Sequence, residues 1–297
     1  MNNEQKHEKK KNIYSWILSL PAMSWLIFFF LIPYIIIFIY SFYQADIYDI
    51  KAILTLDAYK NVFSPEYFRS FFISFRLALI TTFLCFLLGY PAAYLIARSS
   101  EKIKNTLLVL IIIPFWTNFI IRIFSWRIFL SPEGILNNAL IYFNLIDTPL
   151  MLIRNDFAVI LVMVYVYLPY MILPLYSNIE KMDFTLLDAA MDLGASPKKT
   201  FFKITLPLSK DGILAGSILV FIPALGAYII PQLVGSQDSL YIGQIITYKI
   251  KNIPRNWPLA SALSLMLLIL ISALMVLFYT LHIKFKERMI VKDEDEK

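Results

Sequence analysis

The sequence predicts an all-α integral membrane protein whose chain crosses the bilayer six times, and three observations carry that prediction. Of 297 residues, 59% are hydrophobic and only 16% are charged, with a mean hydropathy of +0.67, far too apolar for a water-soluble domain. Six apolar runs reach the length of about 20 residues that a helix needs to cross the hydrocarbon core. The Lys and Arg residues outside those runs gather on alternate connections, so the net charge of +6 reads as membrane orientation and not as a nucleic-acid surface.

Residues 1–12 carry four lysines and read as a retained cytoplasmic tail, because the run behind them is too long and proline-interrupted for a cleavable signal peptide. The first span lies within 13–42, where Pro21 and Pro33 are expected to bend it. The others cover about 71–97, 106–130, 157–176, 212–230 and 259–282. Pro91, Pro114, Pro169, Pro174 and Pro223 fall inside these spans. Such breaks survive where neighbours or water satisfy the freed backbone groups, which points to a packed bundle with a pathway. Residues 284–297 mix both charges and read as a solvated tail.

Orientation follows from the connections. Those on the side of the N-terminus (1–12, 98–104, 177–211 and 283–297) hold seventeen Lys and Arg residues. Those on the other side (43–70, 131–156 and 231–258) hold seven. Both termini and the 177–211 connection are therefore expected in the cytoplasm. Arg76, Arg122 and Arg127 remain inside apolar runs. The last two are expected about 25 Å along a helix that starts at the cytoplasmic face, all three snorkelling to the outer interface as anchors or structural ion pairs.

Within 177–211 the stretch from Asp183 to Pro207 is laid out as two short helices. Asp183 is placed to accept free N–H groups at the start of the first. Phe184, Leu187 and Met191 recur at helical spacing and give it one apolar face. Gly194 follows, where a helix commonly ends in a left-handed turn. Ser196-Pro197 then reads as N-cap and first residue of the second helix, and Leu206-Pro207 as its end. The result is a helix–turn–helix knob on the cytoplasmic surface.

The knob resembles the loop of ABC-importer permeases, written E-A-A, three residues, G, nine residues, I-x-L-P. Asp188, Ala189, Ala190, Gly194, Ile204, Leu206 and Pro207 match it with every spacing kept, Asp188 standing for the usual Glu with the same charge on a shorter stem. The runs Pro114–Arg122, Ser131–Asn137, Leu168–Lys181 and Val220–Gly235 are further similar to B-type spermidine/putrescine permeases. The resemblance covers about 107–253; the rest fits by length and hydropathy. It implies a type I ABC-importer permease domain over 13–283 in the plasma (inner) membrane, with 183–207 as its ATPase-coupling loop. It also implies two copies of a cytoplasmic ABC ATPase, which hold the ATP and Mg while this chain binds no cofactor. A second permease, a different C-type chain, and an extracytoplasmic polyamine-binding protein complete the implied set. Permeases for iron, thiamine or sulfate share the knob and are the alternative.

A polyamine is a flexible polycation, which aromatic faces, carboxylates and carbonyls can hold. Trp116, Asn118, Tyr165, Tyr167 and Tyr228 are the mid-membrane candidates, while Glu133, Asp156 and Asp238 could draw cations to the outer mouth. No carboxylate lies deep in an apolar run, and no catalytic or metal-binding constellation is evident: the phosphate-cradling G-x-x-x-x-G-K-[ST] motif is absent, and His7 and His282 lack ligand spacing. Eight glycines form no dimerisation stripe. A secondary transporter or channel would call for buried ionisable residues or an inverted repeat, and a membrane-embedded enzyme for a catalytic cluster; neither pattern is clear.

Overall fold

The computed structural model describes residues 19–46, 50–236 and 240–295, which fall into two compact units: 19–64 with 248–266, and 65–247 with 267–295. In the first unit, α1 (Ser19–Tyr40) is apolar on every side and buries none of its most apolar stretch, as a helix facing lipid does. A π turn at Ile27–Leu31, two residues ahead of Pro33, lets the chain absorb that proline within one span. A small antiparallel hairpin follows, β1 (Tyr43–Ala45) and β2 (Ile50–Leu54), which the hydropathy reading does not contain. Beyond it comes α2 (Asp57–Val62). Ser41 ties this corner together: its buried hydroxyl donates to the Phe38 carbonyl at 2.6 Å and so accepts from the Tyr59 hydroxyl at 2.8 Å.

The second unit is built on three helices: α3 (Pro65–Arg98), α7 (Asp156–Ile179) and α10 (Lys210–Leu225). Between the first two lie α4 (Glu101–Ile112), a 3-10 turn (Ile113–Trp116), α5 (Phe119–Phe129) and α6 (Ile135–Tyr142). Between the last two lie the knob helices, α8 (Thr185–Asp192) and α9 (Pro197–Leu208). The chain closes with α11 (Ile229–Val234), α12 (Ile242–Lys251) and α13 (Trp257–Asp295). Buried Ala78, Cys85 and Ala93 of α3 share one core with Met163, Met171 and Leu175 of α7. Gly216 lets α10 lie directly on α7: a Cβ there would stand 2.7 Å from the Met171 sulfur. Gly212, one turn earlier, would meet the Asn178 Cβ at 2.7 Å. This small-xxx-small pair thus packs helices within the chain.

Among the described residues, four helices are each long and apolar enough to cross a membrane: α1, α3, α7 and α13 over Trp257–Phe278. The third and fifth spans differ from expectation. The third is the pair α4–α5, bent by 91°, because Thr117 is extended and Asn118 starts a new helix by accepting the Ile120 N–H at 2.8 Å. Arg122 and Arg127 are therefore not the far end of a straight helix. The fifth span is interrupted at Gly226 and Ala227, between α10 and α11.

The second knob helix also runs past its expected end. Leu206 stays helical (φ −65°, ψ −44°) and α9 continues to Leu208 before turning by 66° into α10. A π turn at Phe201–Thr205 stands two residues ahead of Pro207, the same offset as at Pro33. A widened turn moves aside the carbonyl that the proline ring would strike, and the missing N–H breaks no regular ladder.

Candidate coupling knob and substrate pathway

The knob forms as its sequence dictates at most of its joints. Asp183 accepts both the Thr185 N–H (3.0 Å) and the Thr185 hydroxyl (2.7 Å), contacts that hold its carboxyl below the usual range. Gly194 adopts φ +85° after α8, the left-handed turn that a Cβ disfavours. Ser196 accepts the Lys199 N–H, and Pro197 begins α9. Leu187 is buried and Phe184 half-buried, but Met191 is 39% exposed, because the third position of the apolar stripe lies toward the tip, beyond the bundle.

The knob carries an unusual surface for a polar loop. Leu193 is 89% exposed, and Leu186 and Phe202 are also uncovered. Asp188 and Ala189 are exposed, Ala190 is half-buried, and Gly194 faces open space with no atom within 4 Å of where a Cβ would be. Ile204, Leu206 and Pro207 are half-buried, at the end of the knob that meets the bundle. The seven motif positions thus divide into an outward group and an inward group.

Aromatic and polar contacts fix the inward side to α3. The Arg98 guanidinium lies 5.3 Å from the Phe184 ring centre, and Tyr94 meets the same ring edge-on. Tyr90 meets Phe201 edge-on at 5.5 Å. At the corner between α9 and α10, the buried Ser209 hydroxyl donates to the Leu206 carbonyl (3.0 Å), so Tyr90 donates to Ser209 (2.9 Å). Just ahead of the knob, Glu180 pairs with Lys104 of α4 at 2.9 Å; the Tyr176 hydroxyl and that ammonium hold its carboxyl below the usual range. Sequence spacing offered no signal for these long-range partners.

The pathway candidates separate by exposure. Trp116 is 79% exposed at the right-angled turn where Asn118 caps α5. Tyr165 is partly exposed and meets Trp126 edge-on at 5.3 Å; Tyr228 is partly exposed at the start of α11. Tyr167 differs: it is buried, and its hydroxyl donates to the Pro223 carbonyl, in the last turn of α10, where helical partners run out. Sequence reading passed over Tyr170, which is partly exposed and bridges Tyr167 to Phe115 at the turn. Arg122 stacks on Phe115 and Phe119.

Of the residues expected at the outer mouth, Glu133 is exposed, while Asp156 is already engaged: Tyr241 donates to it at 2.7 Å and Arg76 pairs with it at 3.4 Å. Asp156 is thus a joint between α3, α7 and the start of α12, and Arg76 is the structural ion pair anticipated. Asp238 lies outside the described residues.

A family model described as "Binding-protein-dependent transport system inner membrane component" matches residues 86–290. The chain is 41% identical over 264 residues to the spermidine/putrescine transport system permease protein PotB of Salmonella typhimurium (strain SL1344), covering 89% of this chain and 92% of that protein. With PotB of Escherichia coli (strain K12) it shares 42% over 258 residues, covering 86% and 94%. In fold it is similar to a chain of the bacterial alginate ABC transporter in complex with an alginate pentasaccharide-bound periplasmic protein. That match has a TM-score of 0.69 and 17% identity, covering 92% of this chain and 94% of that one.

Proposed function

This chain belongs to the family of binding-protein-dependent transport system inner membrane components, and on that premise we propose that it is the permease subunit of an ABC importer for spermidine and putrescine. The observation that carries the substrate class is 41% identity sustained over 89% of the chain with a permease of those two compounds. The subunit resides in the inner membrane and supplies a route, not catalysis. ATP and Mg belong to a partner, two copies of an ABC ATPase, each receiving one knob. A second permease of the C type forms the other half of the route, and an extracytoplasmic protein delivers the polyamine.

The reading of the knob rests on its matched spacing together with its surface. Leu186, Leu193 and Phe202 are exposed and apolar on a loop that also carries Asp188 and the α9 lysines, on the side that the Lys and Arg distribution assigns to the cytoplasm. Closure of the ATPase pair would move the knobs and open the route outward, where the delivery protein releases its cargo. The polyamine would then pass Trp116, Asn118, Tyr165 and Tyr228. Tyr167 supports this lining from behind.

Uptake of labelled spermidine and putrescine, in cells lacking this chain and restored with wild type or Gly194→Asp, tests both parts. Saturable, energy-dependent uptake restored by wild type alone is expected. Absence of uptake of either compound, in cells where the chain still captures an ATPase, would overturn the polyamine assignment and leave the permease.

A further inference from the structure

The α4 helix presents a single buried residue, and it is charged. Lys104 is 9% exposed, while every other position from Glu101 to Ile112 is half-buried or exposed. Its ammonium reaches Glu101 one turn back at 3.0 Å and Glu180, 76 residues away, at 2.9 Å. The Glu101 side chain is 80% exposed and that of Glu180 half as much, so the pair with Glu180 is the more enclosed of the two. Helix α4 shares no broad packing face with α7; it follows α3 across a short link and continues into the turn toward α5. An ammonium withdrawn from water keeps its charge where carboxylates hold it, and without Glu180 it keeps only Glu101, a residue of its own helix that ties α4 to nothing beyond itself.

Glu180 closes α7 three residues before Asp183, where the knob begins. The knob is continuous in sequence with α7 and with α10, but not with α4. Yet α4 leads to the 91° turn that carries Trp116 and Asn118, two of the pathway candidates. We infer that Lys104 is the positioning residue through which displacement of the knob reaches α4 and the right-angled turn beyond it. The inference rests on the proposed coupling role of the knob. Without the pair, the knob can move with its ATPase while α4 stays behind: ATP is spent and the route fails to open.

The test uses the assembled importer in proteoliposomes with spermidine-loaded delivery protein, measuring spermidine taken up per ATP hydrolysed. Lys104→Met removes the ammonium, Glu180→Gln keeps the shape of the carboxyl group, and the exchange Lys104→Glu with Glu180→Lys restores opposite charges. Both single variants are expected to lower the ratio about tenfold with ATP hydrolysis retained, and the exchange to recover most of it. An unchanged ratio in Glu180→Gln, or a ratio that the exchange does not recover, overturns the inference. Gly194→Asp run alongside separates the premise from the inference: a wild-type ratio in that variant brings down the knob itself, whereas failure confined to the Lys104 and Glu180 series brings down the relay alone.

Discussion

Substitution of Gly194 separates two reasons for a glycine at the tip of the knob. The first is backbone conformation: at φ +85° a Cβ costs about 1–2 kcal/mol, less for Asn and Asp, which visit this region more readily than other side chains. The second is space for a partner: nothing lies within 4 Å of the missing Cβ, and Leu193 beside it is 89% exposed, so any side chain would project into whatever docks there. A penalty of this size at an exposed turn cannot unseat helices packed in the bundle, so all variants are expected in the membrane at normal amounts. Ala, Asn, Asp and Val rank differently under the two causes. Strain alone spares Asn and Asp and penalises Val most. A docking face penalises Asn and Asp at least as much as Ala. We expect the second ranking, with uptake per inserted molecule reduced about fivefold or more in Gly194→Asn, and with less ATPase captured. Wild-type uptake in Asn and Asp beside a defective Val would refute the docking argument and leave glycine as a turn residue only.

Other substitutions probe how the bundle supports the knob. Gly216→Val forces a side chain into Met171, 2.7 Å away at its sulfur and 3.1 Å at its carbonyl oxygen, and should cost about 3 kcal/mol or more, read as a lower melting temperature in detergent. Asn137→Ala should cost about 2–4 kcal/mol, because the buried amide bonds both the N–H and carbonyl of Leu150 and the Ser131 carbonyl; thermal unfolding measures this directly. Tyr90→Phe keeps the ring against Phe201 but removes the donor to Ser209. A loss of about 1 kcal/mol is expected, with Tyr90→Phe combined with Ser209→Ala costing less than the sum of the two. Glu180 has a lowered carboxyl pKa in the folded chain, so its contribution is complete above its ordinary value of 4.5 and disappears as pH falls through the lower folded value. The stability difference between wild type and Glu180→Gln should therefore stay flat between about pH 6 and 8 and shrink below about pH 4.5.

What the sequence made legible is what local chemistry decides. Helices α1, α3, α7 and α13 follow from unbroken apolar length, and the knob from Asp183, Gly194 and Ser196-Pro197, each acting on its own few residues. The breaks were harder because composition does not change across them. Thr117-Asn118 sits among Phe, Trp and Ile, yet Asn118 is a helix-starting residue just after Pro114, a signal that apolar averaging conceals. Pro207 misled in the opposite direction, since a π turn absorbs a proline without any mark in composition. The link from Lys104 to Glu180 was out of reach altogether: 76 residues separate them, and charge at a span's edge ordinarily means solvent.

The acidic residues bear on how a polycation could pass. Asp156, in the first turn of α7, is held by Tyr241 and Arg76, so a passing amine would have to displace a protein cation to reach it. Within the apolar runs there is no carboxylate at all. A buried carboxylate would hold an amine tightly through pairing in a weakly screening interior, and a tight site delays release. Exposed aromatic faces such as Trp116 and Tyr165 offer about 0.5–2 kcal/mol each, enough to replace part of the hydration and too little to trap the cargo. On the proposed function, selection therefore belongs chiefly to the delivery protein and the partner permease. Trp116→Ala and Tyr165→Ala should accordingly slow uptake of spermidine and putrescine by similar factors; a change of preference between the two in either variant would place a selective site on this chain.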